Sequence, residues 1–77
     1  MPPVPVPDTE FIKSLRHATA IGGRRRWTNA AGDRIFEWDS LHGELEVYNK
    51  RGKHLGALDP ETGAKIKDAV KGRTIDV

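Results

Sequence analysis

The residues between Trp38 and Tyr48 include the side-chain types that acid–base chemistry uses. His42, Glu44, Glu46 and Tyr48 are spaced two apart, so a β-strand would place all four on one face and small or apolar residues on the other. Asp39 lies just upstream, before a bend. Carboxylates that share one strand face repel each other, so positive charge must lie nearby.

That positive charge is unevenly distributed along the chain. The net charge is only +2, but residues 31–48 carry five acidic residues and one basic residue, Arg34. The flanking segments, residues 11–30 and 49–58, carry five and three lysines or arginines, respectively, and no acidic residue. A carboxylate-lined site inside a basic rim suits a polyanion that is held while chemistry occurs at one point. The alternatives are that these charges form surface ion pairs of little energetic value, and that the acidic face is simply solvated.

Length and composition indicate one small domain. The chain has 77 residues and no cysteine, so neither a disulfide framework nor a cysteine-based zinc site can stabilise it. No apolar run is long enough to span a membrane, and no signal peptide is visible. Residues 1–7, of which four are proline, are predicted to form an extended linker, and residues 8–77 the domain.

The predicted elements are one helix and a small sheet. Asp8 to about Ala20 reads as a helix with a capped start, an apolar stripe and a Gly22-Gly23 stop. Strands are expected at 24–27, 34–38, 42–48 and 53–58, with a terminal strand at 73–77, while residues 64–71 fit either helix or coil. We therefore predict an α+β domain: one N-terminal helix, then a twisted antiparallel sheet of four to five strands.

Three arginines precede Trp27 and allow two interpretations. Arg24, Arg25 and Arg26 could grip phosphates while Trp27 offers a stacking surface. Equally, they could form a basic edge strand that resists aggregation, with Trp27 anchored in the core. Trp27 and Trp38 are both expected to help build the core.

Several of these segments together resemble the cytotoxic ribonuclease domain of colicins and cloacin. The similarity covers roughly residues 24–73, and its most specific part is the Glu-Trp-Asp-Ser-x-His-Gly-Glu-Leu-Glu block at 37–46. The remaining matches are Arg24 to Trp27, Phe36, Tyr48, His54-Leu55-Gly56, Asp59-Pro60-x-Thr62-Gly63 and Arg73. The N-terminal helix lies outside the resemblance, and so does the C-terminus, which ends in Asp76-Val77 rather than in a lysine-rich tail.

The resemblance implies a bacterial toxin that cuts 16S ribosomal RNA once, at the decoding site of the ribosome, and so stops translation. It implies a highly twisted antiparallel sheet and a module of a larger delivery protein, secreted or delivered from a cell surface and acting in the cytoplasm of a target bacterium. A monomer is the default expectation. It also implies a cognate, acidic immunity protein, which we expect on the basic rim. The family's functional positions fall on Asp39, His42, Glu46 and Arg73.

These four positions suit a metal-free ribonuclease that needs no cofactor. RNA supplies its own nucleophile, the ribose 2′-hydroxyl, so Glu46 is predicted as the base and His42 as the acid. Asp39 would orient the imidazole and favour its charged form. Arg73 would stabilise the charge that develops on the phosphate.

Further residues are predicted to support this chemistry. Glu44 and Tyr48 are expected neighbours of the base, and His54 either assists RNA contact or packs. The predicted RNA-binding residues are Arg24, Arg25, Arg26, Lys50, Arg51 and Lys53.

Three alternatives stay open at this point. A metal-dependent nuclease could use Asp39, His42, Glu44 and Glu46 as ligands. A non-catalytic RNA-binding sheet could stack bases on Trp27 and Tyr48, although carboxylates would then repel RNA without reward. A protein-interaction domain could use the acidic strand as a docking face.

Overall fold

A computed structural model describes residues 2–77, and Met1, the first residue of the predicted linker, lies outside the described residues. The described chain forms a six-stranded antiparallel sheet whose strands follow one another in sequence order. The elements are α1 (Glu10–Lys13), β1 (Arg16–Ile21), β2 (Arg24–Thr28), β3 (Arg34–Asp39), β4 (Glu44–Asn49), β5 (His54–Leu58) and β6 (Lys65–Asp68).

The predicted helix from Asp8 to Ala20 is wrong in its second half. The Thr9 side chain caps α1 by accepting a hydrogen bond from the Ile12 N–H (3.1 Å), but the helix ends after four residues and β1 replaces the rest. Two glycines with positive φ (70° and 78°) reverse the chain after β1, so that it pairs with β2. Pairing with β2 outweighs the modest helix propensity of this alanine-containing stretch. Within residues 2–77, no helix is long and apolar enough to cross a membrane.

The sheet therefore has six strands, not four to five. β1 is one addition, and β6 lies in the stretch that was predicted as helix or coil. The terminal strand predicted at 73–77 is reduced to a single bridge between Lys53 and Thr74. The tail is nevertheless attached to the sheet, because the His54 N–H donates to the Arg73 carbonyl (3.0 Å) and the Ile75 N–H donates to the Gly52 carbonyl (2.9 Å).

The strand predicted to start at His42 begins at Glu44 instead. Ser40 to Gly43 form the turn between β3 and β4, which the Gly43 N–H closes by donating to the Asp39 carbonyl (2.8 Å). Gly43 has a φ of 68°, a conformation that glycine adopts without steric cost. His42 consequently lies in a turn and is free to fold back toward Asp39.

The two faces of the sheet have different roles. One face packs against α1 and carries the apolar core, with Trp27 and Trp38 buried in it as predicted. The other core members are Ile12, Phe36, Leu45 and Val47. The strand register sets polar residues side by side on the opposite face, where the row across β2 to β6 reads Arg26, Glu37, Glu46, Ala57 and Lys67.

The proline-rich segment contacts the domain. The Val4 N–H donates to the Ser40 carbonyl (2.8 Å), and the Trp38 indole N–H donates to the Val4 carbonyl (2.8 Å). Val6 packs against the core. Residues 2–7 therefore lie along the domain, with Val4 fixed at the turn between β3 and β4.

Candidate active site

A cleft of about 420 Å³ opens on the polar face of the sheet. The four predicted catalytic residues all line it, together with Glu44 and His54 from the predicted supporting set. The remaining lining residues are Arg24, Leu41, Ala57, Lys67, Asp68 and Val70. The sheet thus brings together four predicted catalytic residues that are separated by up to 34 positions in sequence, from Asp39 to Arg73.

Asp39 holds His42 in place. One carboxylate oxygen of Asp39 accepts hydrogen bonds from the backbone N–H groups of Leu41 (3.0 Å) and His42 (3.2 Å), and the other lies 2.8 Å from His42 Nδ1. Burial raises the pKa of Asp39, but these hydrogen bonds from His42 and the turn outweigh it, so the pKa lies below its usual value. An ionised Asp39 favours a proton on His42 Nδ1, which then donates a hydrogen bond to it. Nε2 is therefore the ring nitrogen that can exchange a proton with a ligand.

Glu46 is a buried carboxylate, only 5% exposed, that pairs with Arg73 from the C-terminal tail. Glu46 Oε1 lies 2.9 Å from Arg73 Nη1. The register places Glu46 directly opposite Glu37, an arrangement of like charges that destabilises a sheet unless cations answer it. Arg26 forms an ion pair with Glu37, with Nη2 2.9 Å from Oε2, and Arg73 forms the ion pair with Glu46. The interpretation of this strand face as merely solvated is therefore wrong, since Glu46 and Tyr48 are both buried.

His54 is buried beside Glu46 and is only 3% exposed. Its Nδ1 accepts a hydrogen bond from the Val70 N–H (2.8 Å), so the proton of a neutral ring must sit on Nε2. That Nε2 lies 3.7 Å from Glu46 Oε2, and both atoms lack a hydrogen-bond partner among the described residues. Its burial favours a role in shaping the surroundings of Glu46 over direct contact with RNA.

Tyr48 packs its ring edge-on against His54, with ring centroids 5.2 Å apart. Burial raises the pKa of the Tyr48 phenol above its usual value, and the nearby Arg73 cation only partly opposes this effect. Tyr48 therefore keeps its proton near neutral pH and supports the site by packing.

Glu44 is paired with a residue that the sequence pattern did not single out. Lys67 on β6 places its ammonium 2.9 Å from Glu44 Oε1. This contact with Glu44 raises the pKa of Lys67, so the cation is fully charged at neutral pH. The alternation of polar and apolar residues in β6 was the only pattern that could have indicated a strand here. β6 has four residues, Lys65–Asp68, which are too few to distinguish a strand from coil.

A second arrangement is possible around the same turn. Single ligand atoms of Asp39, His42 and Glu44 all lie within 4.8 Å of one another, a spacing that could hold a metal ion. Glu46, the fourth ligand of the metal alternative, is committed to Arg73 instead.

The six predicted RNA-binding residues separate into four groups. Arg24 lines the cleft with its side chain about half exposed. Arg26 is buried, and its guanidinium binds Glu37 and the Asp76 carbonyl (2.7 Å), so we do not carry it forward as an RNA contact. Arg25 lies over the Trp27 ring at 5.5 Å. The other three, Lys50, Arg51 and Lys53, are exposed in or beside the turn between β4 and β5, outside the cleft lining.

Comparison with known proteins places the chain in a family. The profile of the Cytotoxic family matches residues 2–76. Over 82 aligned residues, the chain is 43% identical to Colicin E3, 43% to Cloacin and 42% to Colicin-E6, all from Escherichia coli. Each alignment covers 92% of this chain, and the chain spans about 15% of the length of these relatives. The chain belongs to the Cytotoxic family, the cytotoxic domain family of the colicins and cloacin.

Proposed function

We propose that this domain is a metal-independent endoribonuclease that cuts small-subunit ribosomal RNA at the decoding site and so blocks translation. One observation carries the proposal: a single cleft contains a carboxylate paired with an arginine, Glu46 with Arg73, and an exposed imidazole oriented by a carboxylate, His42 by Asp39. These are the base, the cation and the acid that transfer of a phosphoryl group to a 2′-hydroxyl requires.

Glu46 removes the proton from the ribose 2′-hydroxyl. The 2′-oxygen then attacks the adjacent phosphorus, and the bond from phosphorus to the 5′-oxygen breaks. His42 donates a proton from Nε2 to that departing oxygen. The products are a 2′,3′-cyclic phosphate and a 5′-hydroxyl end, with the proton taken up by Glu46 matched by the one released from His42.

Arg73 has two successive partners in this scheme. Without RNA, its guanidinium neutralises Glu46. A phosphate that enters the cleft competes for the same guanidinium, because the arginine fork matches phosphate oxygens. Drawing Arg73 toward the phosphate frees Glu46 Oε1 to act as a base and places the cation where negative charge develops.

The cations around the cleft hold the RNA backbone. Arg24 and Lys67 are half exposed at its edge, within reach of a phosphate. If Arg24 turns to a phosphate, Glu37 keeps its closer partner Arg26 at 2.9 Å, whereas Lys67 would share its charge between the phosphate and Glu44. Lys50, Arg51 and Lys53 extend the positive surface beyond the cleft. The choice of the decoding site rests on similarity to the colicin and cloacin family.

The same similarity supports the biological setting that we propose. The domain would be carried by a larger delivery protein, released from or displayed by the producing cell, and active in the cytoplasm of a target bacterium. An acidic immunity protein would protect the producer. We place it on the basic rim, because the carboxylates of the cleft would repel an acidic partner.

A metal-dependent nuclease is the second candidate, and the spacing of Asp39, His42 and Glu44 favours it. Against it stands Lys67, whose ammonium already neutralises Glu44 and would have to leave before a cation could bind. A purely RNA-binding sheet is less suitable, because it gives the buried Glu46 no role and costs the free energy of burying a carboxylate.

Intact bacterial ribosomes provide the test. Incubation with the domain should release one short fragment from the 3′ end of the small-subunit RNA, visible on a denaturing gel. The His42→Ala variant should release at most a trace of this fragment in the same time, whereas His17→Ala, which alters an exposed histidine outside the cleft, should cut normally. Intact RNA after incubation with folded wild-type domain would refute the nuclease function and favour the binding module.

A further inference from the structure

The segment before the helix has a composition that leaves it few ways to make hydrogen bonds. Residues 2–7 read Pro-Pro-Val-Pro-Val-Pro, so only Val4 and Val6 have a backbone N–H to donate. The prolines fix φ and hold the segment extended, so little conformational entropy is lost when it docks. Residues 2–7 are called the strap below.

Val4 fastens the strap at three points around one turn. Its N–H donates to the Ser40 carbonyl at 2.8 Å, and its carbonyl accepts from the Trp38 indole N–H at 2.8 Å. Its side chain lies against Gly43, 3.5 Å from the position that a β-carbon on that glycine would occupy. Trp38 and Ser40 are the two neighbours of Asp39, and Gly43 directly follows His42. The three contacts therefore flank the Asp39–His42 pair on both sides along the chain.

The turn has few other supports within residues 2–77. Leu41 at its tip is 78% exposed, and the His42 side chain is about half exposed. Apart from the strap, the bonds that hold the turn are those that Asp39 itself accepts from Leu41, His42 and Gly43. Val4 is itself 42% exposed, so the domain covers more than half of its surface. Its docking therefore combines apolar contact with two directed hydrogen bonds.

We propose that Val4 is a positioning residue for catalysis: through the strap it fixes the turn that carries His42, and so sets where the acid stands relative to the scissile phosphate. The proposal rests on the nuclease function proposed above. Small displacements of a catalytic group are costly, since a shift of about 1 Å can reduce a rate by roughly 100-fold. The strap should therefore act on kcat and leave RNA binding unchanged.

A proline substitution tests the strap with a closely matched control. Val4→Pro removes the N–H that donates to Ser40 while keeping an apolar, extended residue. Val6→Pro makes the same chemical change two residues later, where the N–H forms no hydrogen bond within residues 2–77. A second variant that lacks residues 2–5 removes the part of the strap that contains Val4 without introducing a new ring. All proteins are compared at a temperature where denaturation curves show them fully folded.

Two readouts are needed, ribosomal RNA cleavage and the NMR signals of the His42 ring nitrogens. Val4→Pro and the deletion should each lower kcat by about 10- to 100-fold with KM within about twofold, and Val6→Pro should change neither. The nitrogen signals should show a weakened hydrogen bond between His42 Nδ1 and Asp39 in the first two variants only.

Three results would overturn the proposal: an unchanged kcat in Val4→Pro, a change confined to KM, or an equal loss in Val6→Pro. If the wild-type domain cuts no RNA, the proposed function fails, and the nitrogen signals alone decide about the strap. Unchanged signals in both strap variants would then refute the positioning of His42 by Val4.

Discussion

Individual side chains in the cleft are controlled by their partners. Asp39 and His42 form one pair, Glu46 and Arg73 a second, and Glu44 and Lys67 a third. Each pair joins a carboxylate to a basic side chain, so the carboxylates on this face of the sheet do not simply repel one another. His42 is the member left accessible, with its side chain 54% exposed. The acid of the proposed reaction is thus already open to solvent, whereas the base is covered until a phosphate attracts Arg73.

Loss of either reacting group should abolish most of the activity. We expect Glu46→Gln and His42→Ala each to lower the cleavage rate by about 10²- to 10⁴-fold, because each removes one proton transfer. Glu61→Gln and His17→Ala, both at exposed positions, serve as controls and should cut at the wild-type rate. Single-turnover cleavage of ribosomes measures this, and a folded Glu46→Gln variant with near-wild-type rate would contradict the assignment of the base.

The pKa of Asp39 predicts how stability depends on pH. Because its pKa is lower in the folded protein than in the unfolded chain, the unfolded chain binds more protons at acid pH. The stabilisation from Asp39 is therefore complete above the ordinary carboxyl pKa near 3.8 and is lost as pH falls through the lower folded value. Urea unfolding between pH 2.5 and 6 should show a steeper acid decline for wild type than for Asp39→Asn. Parallel curves would exclude this contribution.

At the scale of elements, the adjacent arginines Arg25 and Arg26 on β2 have different roles because they lie on opposite faces of the sheet. Arg26 points to the polar face, where it neutralises the buried Glu37, while Arg25 lies over Trp27 on the other face. Arg26→Ala should cost about 3 kcal/mol of unfolding free energy, because it leaves a buried carboxylate without its closest partner. Arg25→Ala should cost less than about 1 kcal/mol.

Urea denaturation of both variants measures the difference between the two arginines, and RNA affinity provides the second measurement. If Arg26→Ala weakened RNA binding without any loss of stability, the arginine would be a surface contact, and its role as the internal partner of Glu37 would be wrong.

β5 and β6 approach each other closely enough to require glycine at position 56. Gly56 has a φ of 145°, and a β-carbon there would lie 2.6 Å from the Lys67 carbonyl oxygen. Gly56→Ala should therefore separate the strands, move Lys67 away from Glu44, and cost about 1–3 kcal/mol beyond the backbone strain. Gly32→Ala is the control, since its φ of 74° is also positive but no atom lies within 4 Å of the added carbon.

Thermal unfolding of the two glycine variants checks this prediction. Gly56→Ala should also reduce RNA cleavage more than Gly32→Ala does, because it disturbs one wall of the cleft. Equal losses of stability would mean that the close approach of Lys67 has no energetic importance.

Sequence periodicity predicted the strands in which polar and apolar residues alternate. It did not predict β1, whose residues also fit a helix, or β6, which is short. The face shared by Glu44, Glu46 and Tyr48 follows from the period of two. The pairing of β1 with β2 does not follow from this period. Residues 16–21 also fit a helix, and their strand conformation depends on hydrogen bonding to β2. The position of Arg73 against Glu46 depends on how the tail crosses the sheet, which no local pattern encodes. For that residue, the resemblance supplied what periodicity could not.

The molecule as a whole uses the two faces of one sheet for different purposes. One face packs on α1 and supplies the core, and the other carries the cleft beneath the C-terminal tail. The tail closes the cleft through Arg73 and is itself tied to β2, because Arg26 binds the Asp76 carbonyl. The strap at the other end of the chain holds the turn that bears His42. Both ends of the chain thus contribute to one site on a small scaffold.

The chemical ends of the RNA fragments test the central claim most directly. Ribosomes are cut with the wild-type domain, and the two new ends are identified by their reactivity with phosphatase, kinase and ligase. Attack by the 2′-hydroxyl, with Glu46 as base and His42 as acid, predicts a 2′,3′-cyclic phosphate and a 5′-hydroxyl. A 3′-hydroxyl together with a 5′-phosphate would show that water was the nucleophile, and would contradict the mechanism in favour of a metal-dependent nuclease.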